Sequence, residues 1–314
     1  MIQFHSRLKK YAKRNVVRGF DNFGRPIIEE YGLTSLKDWE IHAPKFENEK
    51  IMFFPMNDTY TQENLSAAIA LLNDFTGLLS TSKLTLNIED LIQYKDKLSC
   101  FAHFGKILNT NQISKLYKIR YLSIESVKQL DISGLPLLEE IILPKIDFSK
   151  VVFGTLNHIK HLRLISSKNV SSIPLNDKTP LKYLQLMWDR DTRSLETLQD
   201  IKELEGVGLF RVSQLREWPD STKMTNLKFI EFDDVNNFTD FRGLAKAPNL
   251  EWLRINIKGL EAKHLEPLLD CKSLKYINYY HTKKEMATAQ ELFKNIEING
   301  ILPDKYNTES FDFD

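Results

Sequence analysis

One short pattern recurs along this chain at nearly constant spacing. An apolar residue is followed by two others, a second apolar residue, one other and a third apolar residue. The instances are Ile119/Leu122/Ile124, Leu138/Ile141/Leu143, Ile159/Leu162/Leu164, Leu181/Leu184/Leu186, Leu204/Val207/Leu209, Leu227/Ile230/Phe232, Leu250/Leu253/Ile255 and Leu274/Ile277/Tyr279. Their central residues lie 19, 21, 22, 23, 23, 23 and 24 residues apart. A fixed period of roughly 20–50 residues marks stacked supersecondary units. Within each unit the last two apolar residues alternate with others, the period-2 signature of a strand with one buried face. Two earlier units are expected, at Leu84/Leu86 and at Leu98–Phe101, the latter with a register that also fits a centre at Phe104.

The segment between strands carries a second pattern. Three residues before each first apolar position stand Leu116, Leu135, Leu156, Lys178, Ile201, Met224, Ala247 and Cys271, and all but Lys178 are apolar or small. Runs such as Leu195-Leu198-Ile201-Leu204 and Phe241-Leu244-Ala247-Leu250 keep a spacing of three. That spacing suits a short helical or 3₁₀ turn packed back onto the strand. A single unit cannot bury its apolar face, but a stack of them can.

Over residues 81–282 the pattern resembles the leucine-rich-repeat superfamily. The resemblance implies an α/β solenoid of about ten repeats, with a curved parallel sheet on the concave side and short helices or 3₁₀ turns on the convex side. The sequence departs from the family in one respect. Three residues after the last strand leucine, where the family places Asn or Cys, stand Val127, Ile146, Ser167, Asp189, Val212, Val235, Lys258 and Thr282. The turn after each strand must therefore be built in another way.

A solenoid leaves sheet edges at both ends, and these need covers. Residues 1–80 show no repeat and are expected to form a small N-terminal α/β cap. NVVRGF and RPIIEEY flank DNFG as a hairpin, KIMFFPM is a third strand, and Thr61 to about Leu72 is a helix. An independent functional domain is the alternative. Lys284 to Ile298 reads as a capping helix within 283–303, with Met286, Ala289, Phe293 and Ile296 on one stripe and Gly300 and Pro303 as its stop. Residues 304–314 form an acidic tail.

Lys+Arg number 43 and Asp+Glu 42, a net charge of +1, which argues against a general nucleic-acid binder. Arg7, Lys9, Lys10, Lys13, Arg14 and Arg18 do make the start basic, and Phe4, Leu8, Tyr11 and Ala12 stand at helical spacing beside them. A basic amphipathic helix touching membrane or nucleic acid is one reading, and a solvated arm is the other. Two cysteines, with no secretory leader and no long apolar run, suggest a reducing cytoplasmic setting. Cys271 shares its repeat position with Ala247 and Ile201 and reads as core. About eight strands would separate it from Cys100, beyond the reach of a disulfide.

The chain lacks the phosphate-loop, GxSxG, HExxH and CxxC motifs, so neither catalytic residues nor a cofactor nor a metal is expected. His158 and His161 fall on opposite faces of a strand. Asp189, Asp191, Asp233 and Asp234 read as solvated acids at strand ends.

What remains is a surface. Before the central apolar position stand Tyr121, Glu140, His161, Tyr183, Gly206, Phe229, Trp252 and Tyr276. The next column reads Ser123, Ile142, Arg163, Gln185, Gly208, Glu231, Arg254 and Asn278, and the one after it Glu125, Pro144, Ile165, Met187, Phe210, Asp233, Asn256 and Tyr280. Aromatics mixed with Arg and Met are the composition of protein interface centres. The expectation is a protein–protein interaction module; in its short irregular repeats the chain resembles bacterial immunity or effector-type proteins and intracellular regulatory subunits. It would bind a partner protein or peptide on the concave face through Tyr121, His161, Arg163, Tyr183, Gln185, Phe210, Phe229, Glu231, Trp252, Arg254, Tyr276 and Tyr280. The same rings can instead stack across strands and stabilise the sheet. Gly206 and Gly208 either admit a partner's backbone or make room for Phe229 and Tyr183. The alternatives in function are an enzyme with its site in residues 1–80 and a binder acting through the basic N-terminus.

Overall fold

The computed structural model describes residues 13–20, 26–31, 50–54, 58–125 and 127–299. Among these the chain forms two compact units. The first holds residues up to Ile142 together with Lys150–Thr155, and the second holds Leu143–Ser149 and everything from Leu156 onward.

In the first unit β1 (Lys13–Phe20) pairs antiparallel with β2 (Pro26–Tyr31) and parallel with β3 (Lys50–Phe54). The expected hairpin is therefore present, although its turn lies outside the described residues. Lys13, Arg14 and Arg18 stand on a strand, not on a basic helix. The other residues of that proposed helix lie outside the described ones. From β3 the sheet continues in parallel through β4 (Gly77–Ser80), β6 (Cys100–His103), β8 (Tyr121–Ile124) and β10 (Glu140–Pro144). Helix α1 (Gln62–Ala70) starts where the Thr61 N–H donates to Asn64 Oδ1 at 2.9 Å and the Asn64 N–H donates back to Thr61 Oγ at 3.4 Å. It buries Leu65, Ala68 and Ile69, and Leu72 follows in a 3₁₀ turn.

One of the two early repeats differs from expectation, and the other takes one of its two expected registers. Leu84 and Leu86 are not the strand of the main sheet. That strand is Gly77–Ser80, and Leu86 belongs to β5 (Leu86–Asn87), which pairs with β7 (Ile107–Leu108) in a two-stranded sheet of its own, as β9 (Leu130–Asp131) does with β11 (Val151–Val152). The next repeat centres on Phe101, not Phe104. Both have one cause. The third inward position is filled by Ser80 in one and His103 in the other, and both side chains are buried where other repeats carry Leu, Ile, Phe or Tyr.

The second unit is more regular. β12 (His161–Ile165), β13 (Tyr183–Met187), β14 (Gly206–Phe210), β15 (Phe229–Asp233), β16 (Trp252–Asn256) and β17 (Tyr276–Tyr279) pair in parallel with no slip in register. Leu162, Leu184, Val207, Ile230, Leu253 and Ile277 form one continuous inward row. The return segments are 3₁₀ turns such as Glu196–Leu198, Leu244–Lys246 and Ala262–Asp270, which bury Leu198, Leu244, Ala262, Leu265 and Leu268. Phe232 anchors an aromatic cluster in this core, with Phe238 at 4.5 Å, Phe241 at 5.8 Å and Trp218 at 6.0 Å between ring centroids. Cys271 is buried here as a free thiol, and burial pushes its pKa up. Cys100 is also a free thiol. The architecture is thus an α/β repeat solenoid, with a parallel sheet on one side and short helices and 3₁₀ turns on the other.

The C-terminal helix is shorter than its apolar stripe suggests. α2 (Lys283–Leu292) is capped by Thr282, whose Oγ accepts from the Glu285 N–H, and buries Ala289. The chain then turns back, so that β18 (Glu297–Ile298) adds a last parallel strand to β17. Phe293 is buried in that turn instead of completing another helical turn. Gly300, Pro303 and the acidic tail lie outside the described residues. Among the described residues no helix is long and apolar enough to cross a membrane.

Candidate functional site

The column of rings expected to face solvent is laid side by side across the second unit's sheet. His161 and Tyr183, on adjacent strands, have ring centroids 5.2 Å apart. Phe229 and Trp252, also on adjacent strands, lie 5.9 Å apart. Tyr183 and Phe229 stand two strands apart, yet their rings stack at 6.0 Å and 21°. That approach needs the intervening residue to have no side chain. A Cβ on Gly206 would stand 1.8 Å from the Phe229 Cζ, so the ring occupies the place a side chain would take. Gly208 makes room for the Phe210 ring in the same manner, at 2.9 Å.

This packing corrects the expectation of an open face. Trp252 is 1% exposed, and Tyr183, Phe229 and His161 are buried as well. In the next column Arg163, Gln185 and Glu231 are also buried. The Arg163 guanidinium lies 3.4 Å from the Met187 sulfur, and the Glu231 carboxylate pairs with Arg254 at 2.7 Å. In the first unit Tyr121 and Glu140 are buried too. Strand alternation settles which side a residue points to. It does not settle whether its neighbours cover it, and here lateral stacking at strand spacing covers much of each ring. Toward β17 the face opens. Arg254 and Tyr276 are half-buried, Tyr280 is 47% exposed, and the Arg254 guanidinium lies 5.5 Å above the Tyr280 ring.

Polar supports sit just before the strands. Glu205 accepts from Lys182 Nζ at 2.7 Å and from the Tyr183 hydroxyl at 2.8 Å. Burial alone would raise its pKa, but these two hydrogen bonds, together with the charges of Lys182 and Lys228, outweigh it and hold the carboxyl below its usual range.

The turn after each strand answers the missing Asn ladder. Lys145, Ser166, Trp188, Arg211 and Asp234 each follow the last strand residue in the left-handed conformation, with φ of 58°, 52°, 52°, 55° and 57°. The N–H of each donates to the carbonyl ending the next strand, namely Ile165, Met187, Phe210, Asp233 and Asn256, at 2.7, 2.7, 2.7, 2.8 and 2.7 Å. These left-handed residues turn the chain, so Ile146, Val212 and Val235 can point inward as buried apolar residues at the position the Asn ladder would hold. Ser167 and Asp189 fill the same position as buried polar residues. The Ser167 hydroxyl donates to the Leu143 carbonyl at 2.8 Å, and Asp189 accepts from the Asp191 and Thr192 N–H groups at 2.8 Å.

Along this rim lies a hollow of about 360 Å³, lined by Met187, Trp188, Phe210, Arg211, Asp233, Asp234 and Asn256. Trp188 is 46% exposed. A bulky residue with positive φ is uncommon, and an exposed Trp there places a large apolar surface in water. Arg211 pairs with Asp234 at 3.0 Å, and Asn256 donates to Asp233 at 2.7 Å. Of the expected site residues only Phe210 lines this hollow. Trp188 and Arg211 were missed because they stand one position beyond the three columns read from the alternation, and Asp234 in that same position was read only as a solvated acid. The available signal was a lone tryptophan in a column that otherwise reads Ser126, Lys145, Ser166, Arg211, Asp234, Ile257 and His281. Among the described residues no group of three His, Cys, Asp or Glu side chains is placed to hold a metal ion.

No family model matches the chain, and no curated protein matches it. Among solved structures, the chain is similar to an internalin from Listeria monocytogenes. The two share 12% identity over 85% of this chain and 86% of that one, with a TM-score of 0.45.

Proposed function

We propose that this chain is a protein-interaction module whose contact surface is the strand-end rim of the second unit, centred on Trp188 and Phe210. The exposed Trp188 beside the hollow carries this reading. Trp and Arg are the side chains that dominate interface energetics, and both occur here at an open edge. From β13 to β17 the rim crosses five strands, about 19 Å at strand spacing. Tyr280 and the half-buried Arg254 extend the same surface at its far end. The module acts by binding and carries out no chemistry itself. Two buried free thiols suit a reducing setting such as cytoplasm.

The test is capture of a partner by the tagged full chain, compared with Trp188→Ala and Phe210→Ala. Loss of the captured protein with unchanged thermal unfolding is the expected result. Equal capture by both variants rejects the rim as the contact surface.

A further inference from the structure

We propose that the hollow beside Trp188 receives the side chain of an arginine from the partner. This rests on the rim being the contact surface. Two aromatic residues, Trp188 and Phe210, and Met187 line the space together with Asp233 and Asp234. Arg211 is the one cationic side chain in the lining, so the site keeps a surplus negative charge. Asp234 accepts from Arg211 at 3.0 Å and from Asn236 at 2.8 Å. Asp233 accepts from Asn256 at 2.7 Å, which leaves most of its lone pairs for an incoming donor.

Each feature selects against other occupants. An anion meets the surplus carboxylate. A purely apolar side chain strips water from two half-buried carboxylates without giving hydrogen bonds in return. A guanidinium satisfies both parts of the lining, because its flat face stacks on aromatic rings and its edge donates in pairs to carboxylates. The volume, about 360 Å³, holds about a dozen waters at roughly 30 Å³ each, enough for one long side chain. An ammonium has the charge but not the planar fork.

The probe is acetyl-Gly-Arg-Gly-amide, titrated into the full chain labelled with ¹⁵N at tryptophan, at matched ionic strength. The Trp188 indole signal is one of four and is assigned by its loss in Trp188→Phe. The expected result is a saturable shift of that signal with the arginine peptide and none with the citrulline counterpart, which has the same shape but no charge. The Asp233→Asn/Asp234→Asn double variant weakens binding by about three-fold or more, the scale of exposed charge pairs. Asn tolerates the left-handed conformation of residue 234, so the variant keeps its fold. Equal shifts with both peptides, or an unchanged affinity in the double variant, overturn the arginine. A captured partner that is lost with Trp188→Ala but indifferent to the double variant keeps the rim and removes the arginine. A partner retained by Trp188→Ala removes the rim itself.

Discussion

The second unit carries two aromatic regions a few residues apart on the same strands, and they behave oppositely. On the sheet face His161, Tyr183, Phe229 and Trp252 are packed ring against ring, with Gly206 emptied to let Phe229 reach Tyr183. At the strand ends Trp188 stands half exposed in a left-handed backbone, beside a hollow edged with charge. A ring surrounded by rings has gained its contacts within the chain. A ring left in water, on a backbone that disfavours it, has not. Composition alone ranks the two regions together, and burial separates them.

The largest effect should come from the face. Trp252→Ala should lower the unfolding free energy by about 3–5 kcal/mol, the range for removing a fully buried large aromatic. Trp188→Ala should stay within about 0.5 kcal/mol of wild type, as for surface sites. Denaturant unfolding of the two variants measures both. If Trp252→Ala costs no more than Trp188→Ala, the contrast between packed face and open rim is broken.

The inward row offers a second contrast, between a titratable group sealed in core and the charged rim. His103 occupies an inward position of β6, fully buried, with Nε2 at 3.0 Å from the Leu84 carbonyl oxygen. Burial pushes its pKa from the usual 6.5 down to about 4, against the pull of the backbone hydrogen bonds. In the unfolded chain the same ring takes up its proton near 6.5, so between these values the unfolded state binds more protons. Stability is therefore full above about pH 6.5 and falls as pH drops toward 4, by about 3 kcal/mol at roughly 1.4 kcal/mol per unit. His103→Leu should remove that part of the pH dependence. The difference between the two proteins' unfolding curves across this window is the measurement, and parallel curves would contradict a sealed neutral histidine.

How far these features were legible follows from what each depends on. Register was legible, because a one-residue slip would turn every apolar side chain outward, and so Leu162 through Ile277 align as the pattern implies. The strand at Gly77–Ser80 was obscured by Ser80, and the register at Cys100–His103 was left open by His103, polar residues at positions the pattern reserves for apolar ones. The turn device left no residue signature, since Lys, Ser, Trp, Arg and Asp all adopt the left-handed conformation here where Gly is the usual choice. The helix after Thr282 was overestimated because the same apolar stripe serves α2 and then the turn into β18. The hollow was invisible for a related reason. It is assembled from the ends of four strands, and no single repeat contains it.

A smaller effect tests the glycine beneath Phe229. Gly206→Ala places a methyl group where the ring now lies, and should destabilise by about 1–3 kcal/mol, as overpacking does. Adding Phe229→Leu vacates that space and should recover part of the loss, a coupling that a double-mutant cycle reads directly. Additive effects would mean that the glycine serves something other than the ring.

The smallest effect on stability is the most telling about the rim. A left-handed backbone costs a non-glycine residue about 1–2 kcal/mol, and glycine escapes that cost while losing about 0.5–1 kcal/mol of unfolded-state entropy. Trp188→Gly should therefore be more stable than Trp188→Ala by up to about 1 kcal/mol, the alanine retaining the strained φ of 52°. Both variants should lose the partner. If Trp188→Gly is the less stable of the two, the indole supports the fold through its own packing, and its exposure is incidental. If it is the more stable and still fails to bind, a residue that weakens the fold is retained by a surface that needs it, which is how strain at a contact site differs from strain left in a core.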